Sequence, residues 1–239
     1  MCRYSDGPDA VPEAVSEVLP DNYAVLVVGD PRAGLFDFCC YLGASYLSAG
    51  LNVVFIETNM GLRYVRSQMA QFGTEASEHE ANGSLVMMDC YTPPDAVVHD
   101  EHEMFLSDLT NLDEILSKIN EAMYSVGGVS VRVLFDSVTP IFMTHDQDEV
   151  SEFFKDLVSM VKQNGVLTCT AHQGILTPEQ ISVLSSTTDG ILEMKVDEGF
   201  RRFVRIKRMK GIEVSPKWVP FDFARGTEKQ GAFLSWKRT

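Results

Sequence analysis

Two glycines near the start of the chain have the spacing of a phosphate-binding loop. In the segment GDPRAGLF, Gly29 and Gly34 stand between an apolar run and an amphipathic one. Glycines so placed let consecutive backbone N–H groups curl around a phosphate at a helix N-terminus. In the pattern G-x-x-x-x-G-K-[ST], a lysine then neutralises the phosphates and a hydroxyl holds magnesium. The sequence therefore predicts a nucleotide-binding loop of degenerate form, made of Gly29, Asp30, Pro31, Arg32, Ala33, Gly34, Leu35 and Phe36.

The residues that follow Gly34 cannot do this chemistry. Leu35, at the lysine position, carries no charge, and Phe36, at the hydroxyl position, cannot ligate magnesium. Arg32 stands where a further glycine is common, and Asp37 can cap free N–H groups in place of an anion. We therefore hypothesise that Arg32 and Asp37 satisfy, from within the chain, a site built for phosphate. The alternative is that the glycines only make a tight strand-to-helix turn.

The elements that would position this loop alternate along the chain. Short apolar runs and longer amphipathic ones predict a mainly parallel central sheet with crossover helices. The predicted strands are 23–28, 52–56, 84–88, 131–135 and 166–170, and the predicted helices are 35–48, 62–72, one with an apolar stripe over 109–123, and 149–163. From residue 190 onward, short strand-like pieces separated by turns predict antiparallel strands. We expect one α/β domain over residues 1–239, with an N-terminal extension over 1–21, a core over 22–189 and C-terminal β strands over 190–239.

The net charge of −14 argues against nucleic acid as the main partner, because phosphate backbones would be repelled over most of the surface. The charge is unevenly distributed. Residues 195–239 carry 12 Lys and Arg against 5 Asp and Glu, which leaves 8 against 29 for the rest of the chain. A basic end on an acidic body suits contact with an anionic partner, such as another copy of the chain or its bound phosphates.

Membrane, metal and redox functions find little support in the sequence. No apolar run approaches the roughly 20 residues that cross a bilayer, and the first 20 residues have acids and prolines where a signal peptide is apolar, so we expect a cytoplasmic protein. The five cysteines are scattered, without the short spacing of a zinc site. The acidic run HDEHE over 99–103 has metal-ligand types, but it is more typical of a solvated loop because nothing fixes its geometry.

From Asn22 to about Phe223 the chain resembles the KaiC-like ATPases of the RecA superfamily, which occur in archaea and bacteria. The segment YLSAGLNVVFIETNMGLRYVRSQMAQFG is similar to the family's second strand and the helix that ends in Phe-Gly. VRVLFDSVTPIF resembles its Walker B stretch, and FVRIKRMKGIEVSPKWVPFDF its C-terminal strand pair. The resemblance implies a RecA-like P-loop fold whose members commonly form rings or stacked oligomers with ATP between subunits.

This resemblance implies roles for residues at the ends of two strands. Asp136 would be the Walker B carboxylate, which orients magnesium through water if the metal is bound. Ser137 and Thr139 keep the polar character of the residues that follow it. His172 and Gln173 come after the strand at 166–170, where RecA-like proteins often place a sensor of the γ-phosphate.

Other positions depart from the family's pattern. Arg208 and Lys210 fall on the K-x-R positions with the two cations exchanged, so charge that could reach the adjacent subunit persists. Asn59 stands where the family has the glutamate that activates water, and an amide has no basicity for that role. Glu57, at the strand end, could supply a carboxylate only if the register were shifted.

Together these changes remove the lysine, the hydroxyl and the base, and phosphoryl transfer depends on positioning and charge neutralisation. Our first hypothesis is a catalytically inactive KaiC-like protein with a regulatory, signalling or assembly role, which needs no cofactor and forms homo-oligomers or hetero-oligomers with a related ATPase. The alternative is an ATP-binding protein or slow ATPase that uses Arg32, or Arg208 and Lys210 from a neighbour, with Mg-ATP. A DNA-binding recombinase relative is a third hypothesis, disfavoured by the charge and by the lack of a separate DNA-binding module.

Overall fold

The computed structural model of the chain describes residues 19–92 and 109–223, with the backbone of two short strands at 105–106 and 234–235. The strands in this part are β1 (Tyr23–Gly29), β2 (Val53–Glu57), β3 (Leu85–Asp89), β4 (Phe105–Leu106), β5 (Val131–Asp136), β6 (Gly165–His172), β7 (Gly190–Val196), β8 (Arg202–Met209), β9 (Val219–Phe223) and β10 (Leu234–Ser235). The helices are α1 (Leu35–Ser48), α2 (Leu62–Gln71), α3 (Ala76–Ala81), α4 (Leu112–Ser125), α5 (Ile141–Thr144), α6 (Gln147–Val161) and α7 (Pro178–Thr187).

The strands form a single sheet in the order β10-β9-β8-β7-β1-β6-β5-β2-β3-β4. All pairings from β7 through β1 to β4 are parallel, and β8, β9 and β10 extend the sheet by antiparallel pairing. Every residue of β1 is buried, as is usual for a parallel strand between two others with helices on both faces. The predicted α/β fold, with a mainly parallel sheet and antiparallel C-terminal strands, is confirmed.

Each face of the sheet has its own hydrophobic core. Because side chains alternate along a strand, Val25 and Val27 of β1 pack toward α1 and α2, while Leu26 packs toward α4 and α6. The antiparallel extension joins the first of these cores, because Val204 and Ile206 of β8 are buried in it. The C-terminal strands therefore lie against the same helix that follows the glycine loop.

The predicted strands and long helices agree with the structure to within a few residues, but three helices were missed. One of them, α7, begins with a capping box in which the Thr177 hydroxyl accepts from the Gln180 N–H and the Gln180 side chain accepts from the Thr177 N–H. Pro178 occupies the first turn, where its missing N–H costs nothing. The sequence TPEQ carried that signal. The other two, α3 and α5, have only six and four residues.

Some of the predictions concern segments outside the described residues. These include most of the N-terminal extension and the acidic run over 99–103. Within the described residues, no helix combines the length and the apolar character that crossing a bilayer requires. The same residues contain no cluster of three or more His, Cys, Asp or Glu side chains able to hold a metal ion.

Candidate functional site

An open cleft of about 590 Å³ lies at the carboxyl ends of β1, β2, β5 and β6. Ligands of open α/β sheets bind at such ends, where connections leave a strand in opposite directions. In this sheet β2 lies on one side of β1 and β7 lies on the other side. The connection from β1 to β2 and the connection from β6 to β7 therefore run in opposite directions across the sheet. The cleft is lined by Pro31, Arg32, Gly34, Leu35, Phe36, Asp37, Asn59, Met60, Asp136, Thr139, Pro140, Met143, His172, Ile175 and Arg202.

The structure brings together eight of the residues predicted from the sequence. These are Pro31, Arg32, Gly34, Leu35, Phe36, Asn59, Asp136 and His172. The lining does not include Gly29, Asp30, Ala33 or Ser137. Gln173 is exposed beyond it, where its N–H donates to the Gly29 carbonyl oxygen at 2.8 Å. Of the two residues predicted to sense the γ-phosphate, His172 therefore lies at the cleft and Gln173 lies outside it.

The loop between β1 and α1 keeps the turn of a phosphate-binding loop. The Ala33 N–H donates to the Asp30 carbonyl oxygen at 2.8 Å, and Gly34 has a left-handed φ of 85°. A Cβ on Gly34 would come within 3.2 Å of Asp37 and 3.3 Å of Arg202. Any other residue there would be strained and crowded. Glycine is required at this position by contacts within the chain itself.

Leu35 and Phe36 contribute packing to this turn. Leu35 is only 1% exposed, and its Cδ2 would lie 3.1 Å from a Cβ placed on Gly29. The Met194 carbonyl oxygen approaches the same point to 3.0 Å, so the loop, β1 and β7 are in close contact. Phe36 is half-buried against the same core. Neither position delivers a charge or a hydroxyl to the cleft.

The hypothesis that Arg32 fills the loop from within is wrong. The Arg32 side chain is 69% exposed, and its Nε lies 3.1 Å from Asp30 Oδ1. The Arg32 backbone N–H also donates to Asp30 Oδ1 at 2.9 Å. This local pairing lowers the pKa of Asp30 through the hydrogen bonds from Arg32. Arg32 therefore lies at the rim of the cleft and turns toward Asp30.

A different arginine approaches the N-terminus of α1. Arg202, the first residue of β8, has its guanidinium 3.7 Å from Asp37 Oδ2 and 5.4 Å from the centre of the Phe223 ring. Both partners of the ion pair are about one-third exposed. Asp37 therefore lies in the first turn of α1 and pairs with Arg202, and its predicted role in capping the free N–H groups of the loop stays a prediction.

Sequence reasoning missed Arg202 because its place depends on a distant pairing. Arg202 is one of several cations in FRRFVRIKRM, and only the antiparallel register that pairs it with Val196 brings it back to the loop. The apolar lining was also missed. Met143 is 69% exposed and Ile175 46% exposed at the mouth of the cleft, and no pattern in the sequence marks either as a site residue.

Asp136 lies at the floor of the cleft with only one oxygen bonded. It is 1% exposed, and its Oδ1 accepts a hydrogen bond from the Thr170 hydroxyl of β6. Its Oδ2 is buried and has no partner among the described residues. Burial raises the pKa of Asp136 to about 6, and the nearby charge of Asp37 also raises it. The predicted Walker B position is thus present and buried.

Glu57, paired in register with Asp136, is turned away from the cleft. It is fully buried, and its Oε1 accepts from the N–H groups of Asn59 and Met60 at 2.7 and 3.1 Å. Burial, followed by the charge of Asp136, raises the pKa of Glu57 to about 9. Asn59, not Glu57, faces the cleft, so the shifted register that would restore a base is not found.

The polar residues after β5 and β6 form a connected network. The Asn59 amide donates to Ser137 Oγ at 3.3 Å, and Ser137 Oγ lies 3.4 Å from His172 Nδ1. The His172 N–H donates to the Thr139 hydroxyl at 2.9 Å. Burial lowers the pKa of His172, which favours the neutral imidazole. These groups hold the strand ends in place, and Asn59 and His172 present their side chains to the cleft.

Arg208 and Lys210 lie far from the cleft of their own chain. They pair near Ile191 and Asp189, at the amino end of β1, whereas the loop follows its carboxyl end. Arg208 donates to the carbonyl oxygens of Ser185 and Thr188 at the end of α7, at 2.8 and 2.9 Å. Lys210 is 80% exposed and 3.8 Å from Asp189. Neither can reach a ligand in its own cleft.

The residues present do not fit a magnesium triphosphate. Mg²⁺ and a triphosphate together require a cation, a hydroxyl and free N–H groups at the helix N-terminus. Here Leu35 and Phe36 supply neither of the first two, and the carboxylate of Asp37 already lies at that N-terminus. A buried carboxyl oxygen on Asp136 suits a positive group but offers nothing to phosphates. Leu35 and Phe36 thus supply neither the cation nor the hydroxyl that phosphoryl transfer uses at this turn.

Comparison with known proteins agrees with the fold. A family model described as the KaiC ATPase matches residues 11–227. A UPF0273 protein of Pyrococcus furiosus is 25% identical over 232 residues, which cover 92% of this chain and 90% of the relative. A UPF0273 protein of Methanopyrus kandleri is also 25% identical, over 92% and 88% of the two chains. The crystal structure of a KaiC-like protein from Pyrococcus horikoshii superposes with a TM-score of 0.69 at 19% identity, over 94% of each chain.

Proposed function

Because this chain belongs to the KaiC family of ATPase domains but lacks the groups that handle Mg-ATP, we propose that it acts by binding and not by hydrolysis. The observation that carries the proposal is the ion pair of Asp37 and Arg202 at Gly34. It places a carboxylate at the helix N-terminus, where a phosphate would enter, and pairs the Arg202 guanidinium with that carboxylate. A triphosphate would have to displace both, without gaining a lysine or a magnesium ligand.

We further propose that the protein works in an assembly, with a regulatory or signalling role. The charge distribution supports this part, because an acidic body and a basic C-terminal region suit contact between copies or with a related ATPase. In the basic region, the cations of Lys195 and Arg205 lie 4.2 and 4.5 Å from the centre of the Trp218 ring. Arg205 also pairs with Glu193, and Lys195 lies beside it on the neighbouring strand.

Isothermal titration with Mg-ATP tests the loss of nucleotide binding. The wild-type protein is expected to give no saturable heat up to millimolar nucleotide. The matched variant is Leu35→Lys with Phe36→Thr and Asp37→Ala, which restores a cation and a hydroxyl and removes the competing carboxylate. It is expected to gain measurable binding. Saturable binding by the wild type, accompanied by ATP turnover, would overturn the proposal.

Weak ATP binding is a second candidate, favoured by one observation. Arg32 lines the rim of the cleft, and its side chain pairs with Asp30 in an exposed ion pair that solvent screens. If the wild type binds ATP and Arg32→Ala abolishes that binding, Arg32 supplies the missing charge. Lys210→Ala offers the matching test for a contribution from a neighbouring subunit, and its effect would depend on protein concentration.

Sedimentation velocity at low and high salt tests the assembly. Self-association is expected to weaken when NaCl is raised from about 0.1 M to about 1 M, because screening shortens the reach of the complementary charges. The charge reversal Lys195→Glu is expected to weaken it at low salt. A monomer at every concentration and salt would limit the assembly to other partners.

A further inference from the structure

Two carboxyl oxygens beside the cleft are buried and lack hydrogen-bond partners among the described residues. They are Oδ2 of Asp136 and Oε2 of Glu57. Both residues are at most 1% exposed, and they lie side by side in the register of the neighbouring strands β2 and β5. A buried carboxyl oxygen that is not bonded is costly, so the one on Asp136, which lines the cleft, marks a place where a positive group would be stabilised.

A third carboxylate lies on the opposite wall. Asp37 is near enough to Asp136 for its charge to raise the pKa of that residue. Asp37 already holds a guanidinium, that of Arg202, at 3.7 Å. The chain itself therefore shows one organic cation bound at this end of the cleft, and Asp136 Oδ2 offers an acceptor for another.

The mouth of the cleft is apolar. Met143 and Ile175 are exposed there, and Met60 and Phe36 are half-buried beside them. Large apolar side chains left in solvent at the rim of a cavity mark a ligand-binding surface more often than scattered ones do. The cleft thus has an acidic floor below an apolar rim, which is the reverse of what a triphosphate requires.

We propose that the cleft binds an organic cation, namely a guanidinium or ammonium group on an apolar stem. The charged head lies between Asp37 and Asp136, and the stem lies along Met143 and Ile175. This inference rests on the proposed loss of Mg-ATP binding, because both ligands would use the same space. A guanidinium suits the floor well, since its N–H groups form paired, charge-assisted hydrogen bonds with carboxylates.

An inorganic divalent cation suits the same floor less well. Such ions take six or more oxygen ligands, and Phe36 stands where a hydroxyl would contribute one. The described residues contain no cluster of three or more potential metal ligands. The apolar rim would also be unused by a hydrated ion.

Titration with n-hexylguanidinium tests the proposal, and n-hexanol and hexanoate are the matched neutral and anionic probes. The guanidinium is expected to bind at least about tenfold more tightly than either control, because only it pairs with the floor. Asp136→Asn keeps an oxygen for the Thr170 hydroxyl and is expected to reduce binding about tenfold or more. Asp156→Asn, the same change at an exposed position on α6, is expected to have no effect.

A second variant protects the test against misfolding of Asp136→Asn. Met143→Ser changes an exposed side chain, so the fold should be unaffected. It is expected to weaken n-hexylguanidinium several-fold while leaving methylguanidinium unchanged, because only the longer probe reaches the rim. Equal losses for the two probes would contradict the proposed orientation.

Two sources can supply the cation, and sedimentation separates them. If a free small molecule is the ligand, the probe binds to the monomer and Asp136→Asn leaves self-association unchanged. If the cation is a Lys or Arg side chain of another copy, Asp136→Asn weakens self-association and n-hexylguanidinium dissociates the assembly.

Three results would overturn the inference. They are equal binding of n-hexanol, saturable binding of Mg²⁺ alone that excludes the guanidinium, and the absence of any effect of the probe or of Asp136→Asn in both assays. Mg-ATP is titrated separately. Binding of ATP would refute the proposed function directly, whereas failure of the guanidinium to bind would refute only this inference.

Discussion

The glycine loop and the strand end at Asp136 face each other across one cleft, yet they are built differently. In the loop, Leu35 and Phe36 pack against the core, and Leu35 is 1% exposed. At the strand end the polar residues persist, and almost all of them are bonded within the chain, as Ser137 and Thr58 are by reciprocal bonds of 2.7 and 2.8 Å. Persistence of a polar motif can therefore reflect support of the fold, and only the unbonded oxygens indicate a ligand.

The largest effect should come from returning a lysine to the loop. We expect Leu35→Lys alone to lower the free energy of unfolding by about 3 kcal/mol, because it removes a buried apolar side chain and leaves a partly buried ammonium without an anionic ligand at the edge of the cleft. Phe36→Lys, at the half-buried neighbour, should cost less than half of that. Urea denaturation with linear extrapolation measures both. An unchanged stability for Leu35→Lys would show that the loop still has room for the original side chain.

Glu57→Gln should remove a penalty that grows with pH. Burial raises the folded-state pKa of Glu57 to about 9 from 4.5, so between these values the folded state keeps a proton that the unfolded state releases. Stability therefore falls as pH rises through this window. Glutamine keeps an oxygen for the N–H groups of Asn59 and Met60. The variant should be close to the wild type near about pH 5 and clearly more stable near about pH 8.

Denaturation at both pH values checks this result, and Glu152→Gln on the exposed face of α6 is the control. The control should leave the pH dependence of the wild type intact. A Glu57→Gln variant whose stability follows the wild type at both pH values would mean that Glu57 ionises normally in the folded protein.

Thr170→Val tests the bond that holds Asp136. Valine has the shape of threonine without the hydroxyl, so Asp136 Oδ1 loses its partner and neither carboxyl oxygen is then bonded among the described residues. We expect a loss of about 1.5 kcal/mol, measured by thermal or urea unfolding. Thr170→Ser, which keeps the hydroxyl, should lose clearly less. Equal losses would assign the effect to the missing methyl group and not to the hydrogen bond.

The sequence predicted the fold well because the signals involved are local. Apolar β-branched runs and helical stripes give the strands and long helices, and the order of the elements constrains how a parallel sheet can form. Gly29, Gly34 and Asp136 were found for a similar reason, since each stands at the end of a recognisable strand or the start of a helix.

The contacts within the cleft were harder to predict because they depend on pairing between distant segments. Arg32 is three residues from Leu35 in the sequence but pairs with Asp30, whereas Arg202 reaches the loop through the register of β7 and β8. Both are arginines near acids, and nothing local distinguishes them. Glu57 was the weak candidate for the base that Asn59 cannot be, and only the turn after β2 decides that Glu57 lies inward.

The smallest expected effect concerns the ion pair at the loop, and a double-mutant cycle isolates it. Asp37→Asn, Arg202→Gln and the combined variant should give a coupling energy of about 0.5 kcal/mol, because both side chains are about one-third exposed and solvent screens their attraction. The coupling should shrink at about 1 M NaCl. A coupling of zero would show that the turn at Gly34 holds the loop without help from Arg202. The tight turn alone would then account for the two glycines, and the N-terminus of α1 would be open to an anion.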